Sequence, residues 1–241
     1  MIDNIFVDFC IIKEIKEKYG HDIKYMFRYL GRWDFLQSIL PVKLFKPDAN
    51  KFYLFKKIYF HKLDDYPRLE WSSRSPFNLH YMRNPRQRNL YPEIDINILK
   101  NNMFSFKQNV LNKYLNKNTD LDFTINNVII IDRKKNKLLS SNFKNQVIDI
   151  IKNLNYQFNG VFILEDMEYK DQIELFYKNN IVIAFWGSAA VNMIYMSKNS
   201  NYIEIGHTKQ HQRLADLMGI NYSHMPRQWP ERVKTILKSK N

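Results

Sequence analysis

The chain of 241 residues contains little cysteine, little glycine and no long apolar run. Its one cysteine, Cys10, excludes an internal disulfide and a cysteine-based zinc cluster, and it suits a reducing compartment. Charged residues interrupt every hydrophobic run well short of the roughly 20 residues that a membrane span needs. The first residues lack a basic stretch ahead of an apolar one, so we expect no signal peptide. These absences predict a soluble, cytoplasmic protein.

Positive charge is in excess, with 37 Lys and Arg against 24 Asp and Glu and a formal net charge of +13. This balance favours an anionic partner, which is a nucleic acid, an anionic lipid surface or a phosphorylated small molecule. The lysines are spread along the chain with many Asn and Ile residues, and an AT-rich genome produces the same bias without any function. Charge alone does not choose among these partners.

The second half of the sequence alternates short apolar runs with helical stretches of about ten residues. Such alternation predicts parallel strands that are covered on both faces, in a Rossmann-like α/β unit of about five strands. The predicted strands are 127–131, 160–164, 181–185, 201–205 and 221–224, and the predicted helices are 142–154, 169–178, 188–196, 208–218 and a last one from residue 230.

The first half is less regular, because it combines helical, strand-like and proline-rich segments with many arginines between residues 66 and 92. A long helix is predicted from about residue 96 to 116. We therefore predict an N-terminal lobe at 1–95, a linking helix within 96–125 and a C-terminal lobe at 126–241, with a cleft between the lobes.

Small residues are concentrated after the third predicted strand of the α/β unit, where Trp186 is followed by Gly187, Ser188, Ala189 and Ala190. Ligands collect beyond the carboxyl ends of parallel strands. A turn of small residues lets phosphates approach the first N–H groups of the next helix. The alternative is that these residues only allow close packing. The segment is neither a GxGxxG fingerprint nor a P-loop, which removes the usual support for a dinucleotide or NTPase site.

Other candidate ligand-binding residues follow the remaining strands. Arg133 ends the first strand, where a guanidinium can hold a diphosphate bidentately or lie in a solvated turn. Glu165 and Glu204 can accept from ribose hydroxyls, or they are ordinary helix-start and edge charges. His207 follows the fourth strand and is four residues from His211, but no third ligand accompanies this pair, so we expect no metal there.

Asn192 completes the set, since it lies one helical turn beyond Ser188 and points an amide toward the same region unless it lies on the surface. The order of these features resembles the family 61 glycosyltransferases over about residues 127–225. Gln172, Phe176 and Asn192 fall where the family has Gln, Phe and Asn. The segments that carry the resemblance are IIIDRK (129–134), LEDMEYKDQIELF (164–176), GSAAVNMIYM (187–196) and YIEI (202–205).

This resemblance implies a two-lobed GT-B fold whose C-terminal lobe binds a nucleotide sugar and whose N-terminal lobe lies on the acceptor side. It implies an inverting, metal-independent transferase of glycan biosynthesis, with Arg133 and the turn from Gly187 to Ala190 on the donor diphosphate. The donor is expected to be a UDP-sugar and the acceptor a glycan. The family usually has His-Gly-Ala-Gly at this turn, and here Trp186 takes the place of the histidine.

An inverting transfer needs a base that takes the proton of the acceptor hydroxyl. Asp64 and Asp65 lie between a predicted strand pair and the arginine-rich segment, and we predict that one of them is this base; the alternative is a solvated turn. Asp120 and Asp122 have the spacing of a DxD metal motif, but they precede a strand and more simply cap it. We therefore expect neither a metal nor another cofactor.

Two other functions remain open at the level of sequence. The segment KFYLFKKIYFHK (51–62) interleaves cations with aromatic residues, as in stacking platforms for single-stranded nucleic acid, although two strands with aromatic residues inward and lysines outward explain it as well. The replacement by Trp186 would also fit a catalytically inactive glycosyltransferase-like scaffold. Nucleic acid is the less expected partner.

Overall fold

The computed structural model describes residues 96–134, 138–206 and 211–239. The N-terminal lobe, its boundary at residue 95 and the segment 51–62 lie outside these residues. No helix among the described residues is long and apolar enough to cross a membrane. The elements in chain order are α1 (Ile96–Leu115), β1 (Asn127–Asp132), α2 (Ser141–Asn153), β2 (Gln157–Ile163), a 3-10 turn (Leu164–Asp166), α3 (Tyr169–Lys178), β3 (Ile181–Phe185), a 3-10 helix (Ser188–Tyr195), β4 (Asn201–Ile205), α4 (Gln212–Met218), β5 (Asn221–Met225) and α5 (Pro230–Lys238).

The five strands form one parallel sheet in the order β2-β1-β3-β4-β5. This confirms the predicted α/β class and the Rossmann-like parallel sheet. From β1 the chain first adds β2 on one side and then returns to add β3 on the other. The connections after β1 and β3 therefore diverge at the carboxyl edge, and a crevice opens at this switch point.

Helices cover both faces of the sheet. On one face, branched residues of β1, β3 and β4 pack with buried residues of α2 and α5 in a continuous apolar cluster. On the other face lie α1, α3, the 3-10 helix and α4, which contact one another. This burial on both faces explains why the three interior strands, β1, β3 and β4, read as short, mainly apolar runs.

The strand β2 differs from its prediction at 160–164, because it begins at Gln157 and ends at Ile163. It is one of the two edge strands of the sheet, and most of its residues alternate between exposed and partly buried. Its register against β1 shifts at Gly160, which has a φ of +129° that favours glycine. The prediction relied on uniformly apolar runs, so it missed the polar first half of β2.

The element after β3 is a 3-10 helix, although the sequence predicted an ordinary helix there. Its eight residues exceed the three or four that are usual for this geometry. Side chains bind it to α3, since Asn192 donates to Gln172 and the hydroxyl of Tyr195 contacts that of Tyr169. The other predicted bounds agree to within one residue, except for the start of α4: residue 208 was predicted, and the helix begins at Gln212 with His211 as the non-helical residue before it.

Helix α1 is attached to the α/β unit through a buried lysine. Lys107 is 2% exposed, and its Nζ lies 2.5 Å from Asp120 Oδ1 and 2.7 Å from the carbonyl oxygen of Met196. Asp120 Oδ2 also accepts from the backbone N–H of Lys198. Burial lowers the pKa of Lys107, and the pairing with Asp120 opposes that shift. The first aspartate of the DLD segment thus has a structural role.

Candidate functional site

A cleft of about 180 Å³ lies at the switch point between β1 and β3. It brings together five of the predicted ligand-binding residues from three separate segments. Its volume is below the ~300–1,000 Å³ of complete ligand pockets, so it has room for only part of a nucleotide sugar. The lining residues are Ile131, Asp132, Arg133, Leu164, Glu165, Gln172, Ser188, Ala189 and Asn192.

The loop that carries Arg133 is fixed by Asp132, the last residue of β1. The Asp132 carboxylate is 5% exposed and accepts from the N–H groups of Arg133, at 2.9 Å, and Leu139, at 3.0 Å. Its second oxygen is 2.5 Å from Lys144 Nζ at the start of α2. Sequence reasoning did not single out Asp132, although an acidic residue directly after four branched apolar residues was a usable signal.

The guanidinium of Arg133 lies over the turn of small residues. A Cβ placed on Gly187 would be 3.1 Å from a terminal nitrogen of Arg133, so the missing side chain leaves room for this guanidinium. Arg133 Nε is 3.7 Å from Glu165 Oε1, and the two side chains are 30% and 44% exposed. This is a loose, partly solvated pair, so the positive charge of Arg133 remains accessible in the cleft.

The four small residues of the turn divide between two roles. Ser188 and Ala189 line the cleft at the start of the 3-10 helix, where N–H groups have no partner within the helix. Ala190 is fully buried, and its N–H donates to the carbonyl oxygen of Gly187 at 3.1 Å. Ligand approach therefore fits Ser188 and Ala189, and close packing fits Ala190.

Asn192 and Gln172 form a buried amide pair beneath the cleft. Asn192 is 4% exposed and donates from Nδ2 to Gln172 Oε1 at 3.1 Å. Gln172 Nε2 in turn donates to the carbonyl oxygens of Leu164, at 2.9 Å, and Met167, at 3.1 Å. The pair connects the 3-10 helix after β3 to the turn after β2. Asn192 is thus not a surface residue.

Trp186 directly follows β3 and contacts the end of β4, and it is not among the residues that line the cleft. The backbone N–H of Trp186 donates to the carbonyl oxygen of Ile205 at 2.7 Å. Its side chain lies directly on Gly206, where an added Cβ would be 2.5 Å from the Cβ of Trp186. The tryptophan therefore links the end of β3 to the last residue of β4 and to Gly206, which follows it.

Glu204 is fully buried at the end of β4. Its Oε1 is 2.6 Å from His211 Nδ1, and its Oε2 accepts a hydrogen bond from the hydroxyl of Tyr222. The ring of Tyr222 stacks on that of Tyr202, with a centroid distance of 6.5 Å. Burial, followed by the charge of Glu204, raises the pKa of Tyr222 well above its ordinary value.

Three predicted site residues, Asp64, Asp65 and His207, lie outside the described residues. Within residues 96–134, 138–206 and 211–239, no three His, Cys, Asp or Glu side chains are grouped so that they could hold a metal ion. The sequence model of the family described as Glycosyltransferase 61 matches residues 59–203, more than half of the chain and including all nine residues that line the cleft. A comparison with curated proteins gives no match.

Proposed function

The chain belongs to glycosyltransferase family 61 and is a glycosyltransferase, and on this premise we propose how it works. It transfers a sugar from a nucleotide-sugar donor, a UDP-sugar, to a glycan acceptor, with inversion at the anomeric carbon and without a metal ion. The observation that carries this proposal is the cleft at the switch point, where Arg133 lies over Gly187 beside the start of the 3-10 helix.

In this proposal the diphosphate of the donor occupies the cleft. The N–H groups of Ser188 and Ala189 are at the start of the 3-10 helix, where partial positive charge attracts an anion. The guanidinium of Arg133 adds a formal positive charge and several donors in a plane. The hydroxyl of Ser188 is a further donor. The small volume of the cleft suits a diphosphate, while the sugar and the nucleoside extend beyond it.

In this proposal Arg133 is the cation that stabilises the negative charge on the leaving group. Lys134 is in close contact with the carboxylate of Asp166, and Lys144 with that of Asp132. Arg133 Nε, by contrast, is 3.7 Å from Glu165 Oε1. A positive charge that is fixed where negative charge develops lowers the barrier to departure. This is how we propose that the protein stabilises the nucleoside diphosphate without a metal.

The transfer itself is a single in-line displacement. The acceptor hydroxyl attacks the anomeric carbon as the bond from that carbon to the diphosphate oxygen breaks, and the bonding electrons leave with the nucleoside diphosphate. A base takes the hydroxyl proton. Asp65 or Asp64 stays our prediction for this base.

Isothermal titration with UDP, UMP and GDP in buffer with EDTA tests the donor site. We expect UDP to bind with a Kd below about 1 mM and about tenfold more tightly than UMP, because UMP lacks the second phosphate. Absence of binding by every nucleotide at millimolar concentration would reject the proposal. Binding of UDP without its release from any UDP-sugar would instead support an inactive scaffold.

A further inference from the structure

The carboxylate of Glu204 is enclosed by other side chains, so the predicted direct contact with a ribose is blocked. The residue has no exposed surface, and its two oxygens are engaged by His211 Nδ1 and the hydroxyl of Tyr222. A buried carboxylate depends on such partners. A ligand therefore cannot reach Glu204 without displacing one of them, whereas the side chain of His211 is 15% exposed.

This contact fixes the hydrogen positions on the ring of His211. A carboxylate accepts and does not donate, so Nδ1 must carry the hydrogen that is shared with Glu204 Oε1. In the neutral ring, Nε2 then has a lone pair and no hydrogen. Nε2 lies on the side of the ring away from Nδ1 and hence away from Glu204. His211 thus offers an acceptor of hydrogen bonds.

His211 lies at the same edge of the sheet as the cleft. It is the residue directly before α4. Neighbouring strands are about 4.8 Å apart, so β4 is one spacing from β3 and roughly 10 Å from β1, the strand that carries Arg133. A nucleoside diphosphate spans a comparable distance between its ribose hydroxyls and its outer phosphate. Trp186, which directly follows β3, contacts Gly206, which directly follows β4.

We propose that His211 Nε2 accepts a hydrogen bond from a ribose hydroxyl of the donor nucleotide, and that Glu204 is a positioning residue that acts through His211. This inference rests on the proposed function, because it requires a nucleoside diphosphate in the cleft. A ring nitrogen that carries no hydrogen accepts from a hydroxyl but gives no hydrogen bond to a phosphate oxygen. His211 therefore selects ribonucleotides, while Arg133 and the turn bind phosphate.

Calorimetric titration with UDP, 2′-deoxy-UDP and 3′-deoxy-UDP at about pH 8 tests the inference. The wild-type protein is expected to bind UDP about three- to tenfold more tightly than at least one of the deoxy analogues, because the analogue loses one hydrogen bond. The variant His211→Ala is expected to bind UDP and that analogue equally, within about twofold. Its Kd for UDP should approach the wild-type Kd for the analogue.

Two other variants separate this role from a general effect on the fold. His224 lies on the neighbouring strand and its Nε2 is 2.7 Å from the carbonyl oxygen of Gly206, so His224→Ala should preserve the ratio of the two affinities even if both weaken. Glu204→Gln removes the carboxylate that orients His211 and should reduce the ratio. Thermal melting of each variant identifies those that do not fold.

A wild-type protein that binds UDP and both deoxy analogues equally would overturn the inference and leave the proposed donor site standing. A His211→Ala variant that keeps the wild-type ratio, or that weakens all three ligands alike, would also overturn it, since the latter result indicates contact with phosphate. Failure of the wild-type protein to bind UDP at all would remove the inference together with the UDP donor.

Discussion

Arg133 and Gly187 illustrate how much of the cleft depends on single residues. The sequence predicted that glycine makes room for a phosphate, and the structure shows that it first makes room for the guanidinium of Arg133. Neither residue indicates this contact alone, because it depends on the pairing of β1 with β3. The residue types at this turn could be predicted, but not their contacts.

Replacement of Arg133 by alanine tests its role in binding phosphate. We expect Arg133→Ala to weaken UDP binding by about tenfold to a hundredfold, the range for hydrogen bonds to a charged group. Arg133→Lys should recover part of the loss, because lysine keeps the charge without the planar donor set. Titration calorimetry gives both values.

Lys152→Ala is the matched control for net charge, since Lys152 is exposed in the last turn of α2, at the opposite edge of the sheet. An equal loss of UDP binding in this variant would contradict the role of Arg133.

Gly206 is required by its contact with Trp186. A Cβ there would be 2.5 Å from the Cβ of Trp186, so Gly206→Ala forces the backbone to move and should cost about 1–3 kcal/mol of the free energy of unfolding. Denaturant titration measures this. Because the closest atom is a Cβ, only Trp186→Gly removes the clash. Addition of Gly206→Ala to that variant should cost less, with a remaining cost because the φ of +158° at Gly206 disfavours a residue with a Cβ. An equal cost in both backgrounds would show that the contact is not the cause.

Helices and strands could be predicted where burial is uniform. Apolar runs such as IVIAF identified β3 and β4 to the residue, because both faces of those strands are covered. The edge strand β2 has one less neighbour and carries polar residues, so its first half was missed. The order of the strands could not be predicted from the sequence. The hydrogen-bond partners of Asn192 and Glu204 depend on that order, so they could not be predicted either.

The amide pair beneath the cleft predicts that the turn after β2 and the 3-10 helix after β3 stabilise each other. Gln172→Ala leaves the Asn192 amide and two carbonyl groups without their partner, so it should lower the free energy of unfolding by about 1–3 kcal/mol and also weaken UDP binding. Gln146→Ala is the matched control, because Gln146 is exposed on α2 and donates to Asn142 at 3.0 Å; it should change stability by less than about 0.5 kcal/mol. Equal stability of the two variants would contradict a structural role for the pair.

At the scale of the whole molecule, buried tyrosines set the response to alkali. Burial raises the pKa values of five tyrosines above their ordinary value of 10.0: Tyr169, Tyr177, Tyr195, Tyr202 and Tyr222. Below pH 10 folded and unfolded chains both keep these protons, so the contribution to stability is fully present. Above pH 10 only the unfolded chain loses them, and the free energy of unfolding should fall. The lowered pKa of Lys107 acts in the opposite direction, but it is one group against five tyrosines.

Spectrophotometric titration of tyrosine with parallel circular dichroism measures this response. We expect a fraction of the 15 tyrosines to ionise only when the fold is lost, together with a fall in stability above pH 10. Ionisation of all the tyrosines near pH 10 in a protein that stays folded would contradict the burial of the tyrosines named above.

The net charge of +13 is a property of the whole chain and agrees with either a nucleotide sugar or a nucleic acid as partner. Family membership supports the nucleotide sugar. The segment 51–62, on which the nucleic-acid alternative rests, lies outside the described residues. Binding of single-stranded oligonucleotides that weakens steeply with salt would favour that alternative, and salt-insensitive or absent binding would dismiss it.

The most direct test of the central claim is proton NMR of a panel of nucleotide sugars incubated with the protein in EDTA. Water then serves as the acceptor, and slow hydrolysis reveals the donor before any glycan is known. We expect release of UDP from a UDP-sugar, with the first free sugar in the anomeric configuration opposite to that of the donor, and loss of this release in Arg133→Ala. Release of no nucleotide from any sugar, or a first product that retains the donor configuration, would contradict the account.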